Sequence, residues 1–169
     1  MIVEITFEEI YHIWAQKLWP NRLSTIEPNS AMKYLGDYDL GNMSFQPTFF
    51  ACYLDNKIVG VNSGHLCIDN GYRSRGLYVD PLYRNQGLGT MLLLHAVELA
   101  IKHDADYIWS YPRFSSWQTY QKAGFILSSE WEDSEIGKNA YCIKSLVPTT
   151  FGSHPSNEIQ VSATDSKTL

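Results

Sequence analysis

The sequence predicts an α/β (α+β) fold: one mixed, mostly antiparallel sheet with helices on its faces. Three observations lead there. Residues 48–79 hold three β-rich segments joined by tight-turn signals. Residues 87–103 form a long stretch whose apolar side chains suit a buried helix. Short strand and helix signals then alternate to residue 147, a pattern of sheet plus covering helices.

Taken in order, Ile2–Thr6 reads as a strand. Phe7–Leu18 follows as an amphipathic helix, with Ile10, Ile13, Trp14 and Leu18 near helical spacing. Trp19–Pro47 contains Pro20, Pro28, Gly36, Gly41 and Pro47. It is expected to be loop with one short helix at Ser30–Leu35, and a place for substrate contacts. Phe49–Leu54 and Ile58–Ile68 read as strands across Asp55-Asn56-Lys57, and Asn70-Gly71 turns the chain into a third, Tyr72–Val79. Asp80-Pro81 ends that strand, because proline lacks a donor and restricts its neighbour. Gly87–His103 is the clearest helix, through Leu88, Met91, Leu92, Val97, Leu99 and Ile101. Tyr107–Tyr111 is a short strand, and Ser115–Ala123 a short helix closed by Gly124. Phe125–Trp131 and Tyr141–Val147 complete the sheet around a polar Asp133–Asn139 loop. Residues 1–147 form one domain, and the Ser- and Thr-rich Pro148–Leu169 is expected to be a flexible tail.

The 169 residues, 44% hydrophobic and 18% charged, suit one domain with one sizeable core. Thirteen basic against eighteen acidic residues give a net charge of −5. Arg73, Arg75 and Arg84 are the nearest approach to a basic cluster, which argues against nucleic acid as a partner. An acidic surface favours a cationic substrate such as an amine. Cys52, Cys67 and Cys142 fit neither a disulfide framework nor a metal-ligand spacing, so buried free thiols and no metal are expected. The acidic N-terminus is unlike a signal peptide, and no apolar run reaches the roughly 18 residues of a membrane span. A cytoplasmic protein is expected.

The chemistry concentrates where the third strand meets the long helix. The segment there is Arg84-Asn85-Gln86-Gly87-Leu88-Gly89-Thr90. The first turn of a helix leaves N–H groups without internal partners and carries partial positive charge. Glycine lets a ligand approach that backbone, so the segment reads as a diphosphate cradle with Arg84 adding a charge-assisted contact. It is neither G-x-G-x-x-G nor a P-loop. By itself the hexapeptide also reads as a helix start with two glycines for packing.

Leu77-Tyr-Val-Asp-Pro-Leu-Tyr-Arg-Asn-Gln-Gly-Leu-Gly-Thr-Met-Leu-Leu resembles the acetyl-CoA motif of the GNAT superfamily of N-acetyltransferases, and Tyr120-Gln-Lys-Ala-Gly-Phe125 resembles that family's Tyr-x-Lys-x-Gly-Phe ending. The resemblance covers about Thr48–Val147. It implies a twisted sheet of about six or seven strands, helices on both faces, and a splay between the fourth and fifth strands. It further implies acetyl-CoA as co-substrate and an amine as acceptor, in a monomer or homodimer without membrane or nucleic-acid partner. Arg84, Asn85, Gln86, Gly87, Leu88, Gly89 and Thr90 would hold the diphosphate, and Leu77, Tyr78 and Val79 the pantetheine arm. Amides near Tyr78 and Val79 would polarise the thioester carbonyl, with a bulge at Gly76 to aim them.

Tyr120 is the expected general acid, since a phenol of pKa about 10 is protonated at neutral pH; its other reading is an aromatic closing a helix on the core. The base is open. Relatives place a glutamate on the strand before the diphosphate loop, and Tyr72-Arg-Ser-Arg-Gly-Leu-Tyr-Val has no carboxylate. His65 is the candidate named first, then Glu132, Asp133 or a water relay. Relatives carry an Asn near Arg113, which here reaches a phosphate or faces solvent. Trp109 and Trp117 line the cleft or belong to the core. The missing carboxylate leaves a second reading, an acyl-CoA or protein-binding module without efficient turnover.

Overall fold

A computed structural model describes residues 1–148, so nearly all of the expected tail lies outside the described residues. β1 (Ile2–Ile5) leads through Thr6 into α1 (Phe7–Ile13). Thr6 Oγ1 accepts from the Glu9 amide at 3.2 Å while Glu9 accepts from the Thr6 amide at 2.7 Å, a reciprocal cap that satisfies two donors. The helix continues over Trp14–Leu18 as a π-turn, with the Trp19 amide reaching back to Trp14 O at 2.7 Å.

The sheet strands are β2 (Thr48–Leu54), β3 (Lys57–Leu66), β4 (Gly71–Val79), β5 (Tyr107–Ser110), β6 (Ile126–Leu127) and, after a separate hairpin of β7 (Glu132–Ser134) and β8 (Gly137–Asn139), β9 (Cys142–Ser145). Between β4 and β5 runs α2 (Leu88–Lys102), and between β5 and β6 runs α3 (Trp117–Lys122). The seven-stranded sheet has the order β1-β2-β3-β4-β5-β9-β6, antiparallel except where β4 meets β5. One face packs Phe50, Tyr72 and Ile108 against Leu92, Leu93 and Ala96 of α2. The other packs Phe49, Ala51 and Val61 against Ile10 and Trp14. The expected α/β class, strand number and two-sided helix cover are therefore present.

Three segments differ from expectation, the smallest being Phe125–Trp131, of which only Ile126–Leu127 joins the sheet. No helix forms at Ser30–Leu35. Leu35, Gly36 and Asp37 take left-handed φ of 61°, 111° and 54°, and Met32 bridges Tyr38 across that turn. Distant side chains set this course: Asn29 Nδ2 donates to Asn42 O at 2.7 Å and Phe45 O at 2.9 Å, and Asn42 Oδ1 accepts from the Ile68 amide at 2.9 Å. The helical turn falls instead at Leu40–Ser44. The Asp133–Asn139 loop is the β7–β8 hairpin, turned through Gly137 at φ 119°.

Candidate active site

β4 and β5 run parallel for three rungs only, Gly71–Tyr107, Tyr72–Ile108 and Arg73–Trp109. Beyond Arg73 the strands part. Ser110 sits at the fork, its Oγ 2.8 Å from Ser74 O. The expected splay between the fourth and fifth strands is this fork, and its β4 side runs from Ser74 to Val79.

Gly76 is the bulge. β3 pairs Ser63 with Arg75 and Val61 with Tyr78, so β4 carries one extra residue between those rungs. Gly76 has φ +78°, and a Cβ there would lie 2.3 Å from Trp14. The Trp14 indole donates to Gly76 O at 2.9 Å, so the π-turn after α1 holds the bulge in place. Past it, the Asp80 amide donates to Val59 O at 2.9 Å. By strand alternation the Tyr78 amide is then also turned toward β3, and the Val79 amide toward the fork.

From Val79 the chain passes Asp80, whose carboxylate accepts from the Leu82 amide at 3.0 Å, and reaches Arg84. Arg84 Nε donates to Val79 O at 2.9 Å, which brings the guanidinium back to the fork. Asn85 at φ 60° and Gly87 at φ 81° then turn the backbone into α2. No side chain caps α2, and the first helical bond runs from the Met91 amide to Gly87 O at 3.0 Å. The amides of Leu88, Gly89 and Thr90 thus face outward with the helix dipole behind them. A Cβ on Gly87 would meet nothing within 4 Å, so the cradle is open. Gly89 has a different cause: a Cβ there would lie 2.8 Å from Thr119 Cγ2, so this glycine lets α3 approach α2. A cavity of about 490 Å³ opens beside the helix start, lined in part by Gly87, Thr90, Met91 and Lys122.

The close packing of α3 carries Tyr120 to the fork from the α2 face. Its ring is buried against Phe125, and its hydroxyl lies 3.3 Å from Ser110 Oγ. Ser110 has one proton, and the shorter bond to Ser74 takes it. Its oxygen is then the acceptor for the Tyr120 O–H. Burial raises the phenol's pKa above its ordinary value, so Tyr120 is a proton donor at neutral pH.

The other candidates lie elsewhere. His65 on β3 is 1% exposed, with Nδ1 2.8 Å from Leu66 O and Nε2 3.4 Å from the Ser30 amide. A carbonyl only accepts, so Nδ1 carries the proton and Nε2 accepts. One nitrogen is tied to its own strand and the other holds the Ser30 loop. Burial pulls its pKa down to about 4; the Leu66 contact opposes this, and Arg73 and Arg75 reinforce it. Glu132 is exposed and accepts from the Tyr111 hydroxyl at 2.6 Å, and Asp133 is exposed on β7. Arg113 neither faces solvent freely nor extends to the cradle: Nη2 donates to Leu18 O at 2.6 Å, tying the β5 end to the π-turn. Trp109 is fully buried, and Trp117 packs against the α2 core.

The sequence gives no signal for Ser110, and it shows Arg73 and Arg75 only as part of a sparse basic cluster. The two arginines alternate on β4 and so share the face toward α1. Arg73 is 8% and Arg75 5% exposed, stacked over Trp109 at 4.9 Å and Trp14 at 4.9 Å respectively. Burial lowers both guanidinium pKa values, that of Arg73 to about 10. The Arg-x-Arg spacing in a strand was the available signal.

The model of the Acetyltransferase (GNAT) family matches residues 8–125. No curated protein sequence matches. Among solved structures, a GNAT-family acetyltransferase from Staphylococcus aureus Mu50 is 18% identical with TM-score 0.63, over 87% of this chain and 99% of that one. An aminoglycoside 6'-N-acetyltransferase complexed with coenzyme A is 12% identical with TM-score 0.63, over 88% and 98%. Nourseothricin acetyltransferase is 19% identical with TM-score 0.53, over 59% of this chain, which spans 65% of that enzyme. At these identities the likeness is one of fold.

Proposed function

The chain belongs to the GNAT acetyltransferase family, and on that premise we propose that it moves an acetyl group from acetyl-CoA to an amine by direct attack. One observation carries this reading: the uncapped start of α2 and the open edge of β4 meet at a fork that also holds the Tyr120 hydroxyl. The residues present fit acetyl-CoA. Open space at Gly87 and the free amides of Leu88–Thr90 suit a diphosphate, with Arg84 beside them. The β4 edge past Ser74 has no strand partner on the β5 side, which suits a pantetheine arm pairing like an added strand.

In this reading the Val79 amide pairs with the pantetheine arm, and the Leu77 amide, also turned to the fork and nearer the Gly76 bulge and Tyr120, takes up the charge that grows on the thioester oxygen. Tyr120 gives its proton to the departing thiolate, exchanging its bond to Ser110 Oγ for one to the sulfur. The amine must first lose a proton, at roughly 4–5 kcal/mol for a pKa near 10.4 at pH 7. His65 is buried with both nitrogens engaged and Glu132 and Asp133 are exposed, so in this reading water carries that proton away.

Incubation with acetyl-CoA and an amine panel, followed by free-thiol release, tests the proposal. Thiol release that depends on the amine is expected. Tight CoA binding with release at background for every amine would contradict it and favour an acyl-CoA-binding module.

A further inference from the structure

Arg73 is a buried cation without an anion. Its Nε and Nη1 have no hydrogen-bond partner, and it enters no ion pair among the described residues. The Trp109 indole N–H beneath it is also buried and unpartnered, next to the Cys67 thiol, a weak acceptor. The Arg73 and Trp109 groups are donors only. Arg75, two residues on, gives Nη1 to Glu27 O at 2.7 Å and Pro28 O at 3.4 Å, both neutral carbonyls. Arg22 lies close enough to both arginines to act on them electrostatically, and Glu135 sits 3.8 Å from Arg22. Stacking on Trp109 offsets part of the cost of burying Arg73. It satisfies no N–H, and a buried donor left unpaired is destabilising.

Position gives this surplus charge a use. Arg73 stands on the last paired rung before the fork, and Arg75 on the first residues beyond it. Both project to the α1 face, opposite α2 and Tyr120; in the acetyl-transfer reading the cofactor enters from the α2 start, which leaves this face to the acceptor. A cavity of about 260 Å³ near this face is lined by Trp19, Arg22, Arg113 and Glu135 among others.

We propose that Arg73, with the Trp109 N–H and the charge of Arg75, binds the carboxylate of the acceptor, so that the acceptor is a primary amine bearing a carboxylate, such as an α-amino acid. A guanidinium and a carboxylate pair through matched forks, and the indole N–H adds a third donor. The same charge disfavours polycationic acceptors, although the whole chain is acidic. This inference rests on the acetyl-transfer reading above.

The test compares α-amino acids with their amides and with the decarboxylated amines, in thiol-release assays and in thermal unfolding with the N-acetyl products. The acids are expected to exceed their amides at least tenfold in kcat/KM, and N-acetyl acids, not N-acetyl amides, to raise Tm. Arg73→Met should collapse the acid-over-amide preference toward unity with CoA affinity kept. If that variant does not fold, the wild-type Tm comparison decides. Thiol release without acid preference overturns the carboxylate site and leaves acetyl transfer standing. No thiol release, with Tm still raised by N-acetyl acids, overturns acetyl transfer and leaves the carboxylate site standing. Neither release nor shift overturns both.

Discussion

Replacing His65 by Gln separates a buried strut from a base. In the native protein the imidazole is held neutral, with a pKa near 4 against an ordinary 6.5. The unfolded chain therefore binds a proton as pH falls through 6.5, while the folded chain does not until about pH 4. Stability from this group is fully present above pH 6.5 and is lost on acidification down to about pH 4. A shift of this size corresponds to about 3 kcal/mol. For a domain of this length that is roughly 10 °C of Tm. Gln offers an N–H for Leu66 O and an oxygen for the Ser30 amide, so it keeps both contacts and removes the titration. Tm measured by tryptophan fluorescence from pH 4.5 to 7.5 should fall about one proton's worth more steeply in wild type than in His65→Gln. Equal slopes would refute the buried-neutral assignment. A limb in kcat near pH 6.5 that His65→Gln abolishes would refute the strut reading and restore His65 as a base.

Three further substitutions probe the fork. Gly76→Ala places a methyl 2.3 Å from Trp14 at φ +78°, and should cost about 4 kcal/mol in denaturant unfolding. Gly89→Ala meets Thr119 Cγ2 at 2.8 Å and should destabilise by about 1–2 kcal/mol. Adding Thr119→Ser removes that methyl and should recover most of the loss in a double-mutant cycle. Tyr120→Phe should reduce kcat about 100-fold with CoA affinity largely kept; equal loss of both would assign Tyr120 to packing or cofactor contact.

Local signals made the scaffold legible. The hairpin that Asn70-Gly71 implies is present, though its turn runs Cys67–Asn70 with Asn70 as the left-handed residue at φ 63°, and the apolar residues of 88–102 give α2 without distant information. The Gly76 bulge was legible because only glycine readily takes that φ. The Ser30–Leu35 region was not, since Asn29 and Asn42 organise it through contacts far along the chain. The role of Gly89 was half legible: its need for no side chain was evident, but the neighbour was α3, not the ligand. Arg73 and Arg75 were misjudged because they were weighed as a surface charge cluster. In a strand the same spacing buries both on one face.

The most direct measurement is backbone amide NMR during titration with CoA. The account predicts that the amides of Gln86–Thr90, with Val79 at the fork, move first and furthest. Unmoved signals there, with shifts confined to other parts of the chain or absent altogether, would contradict it.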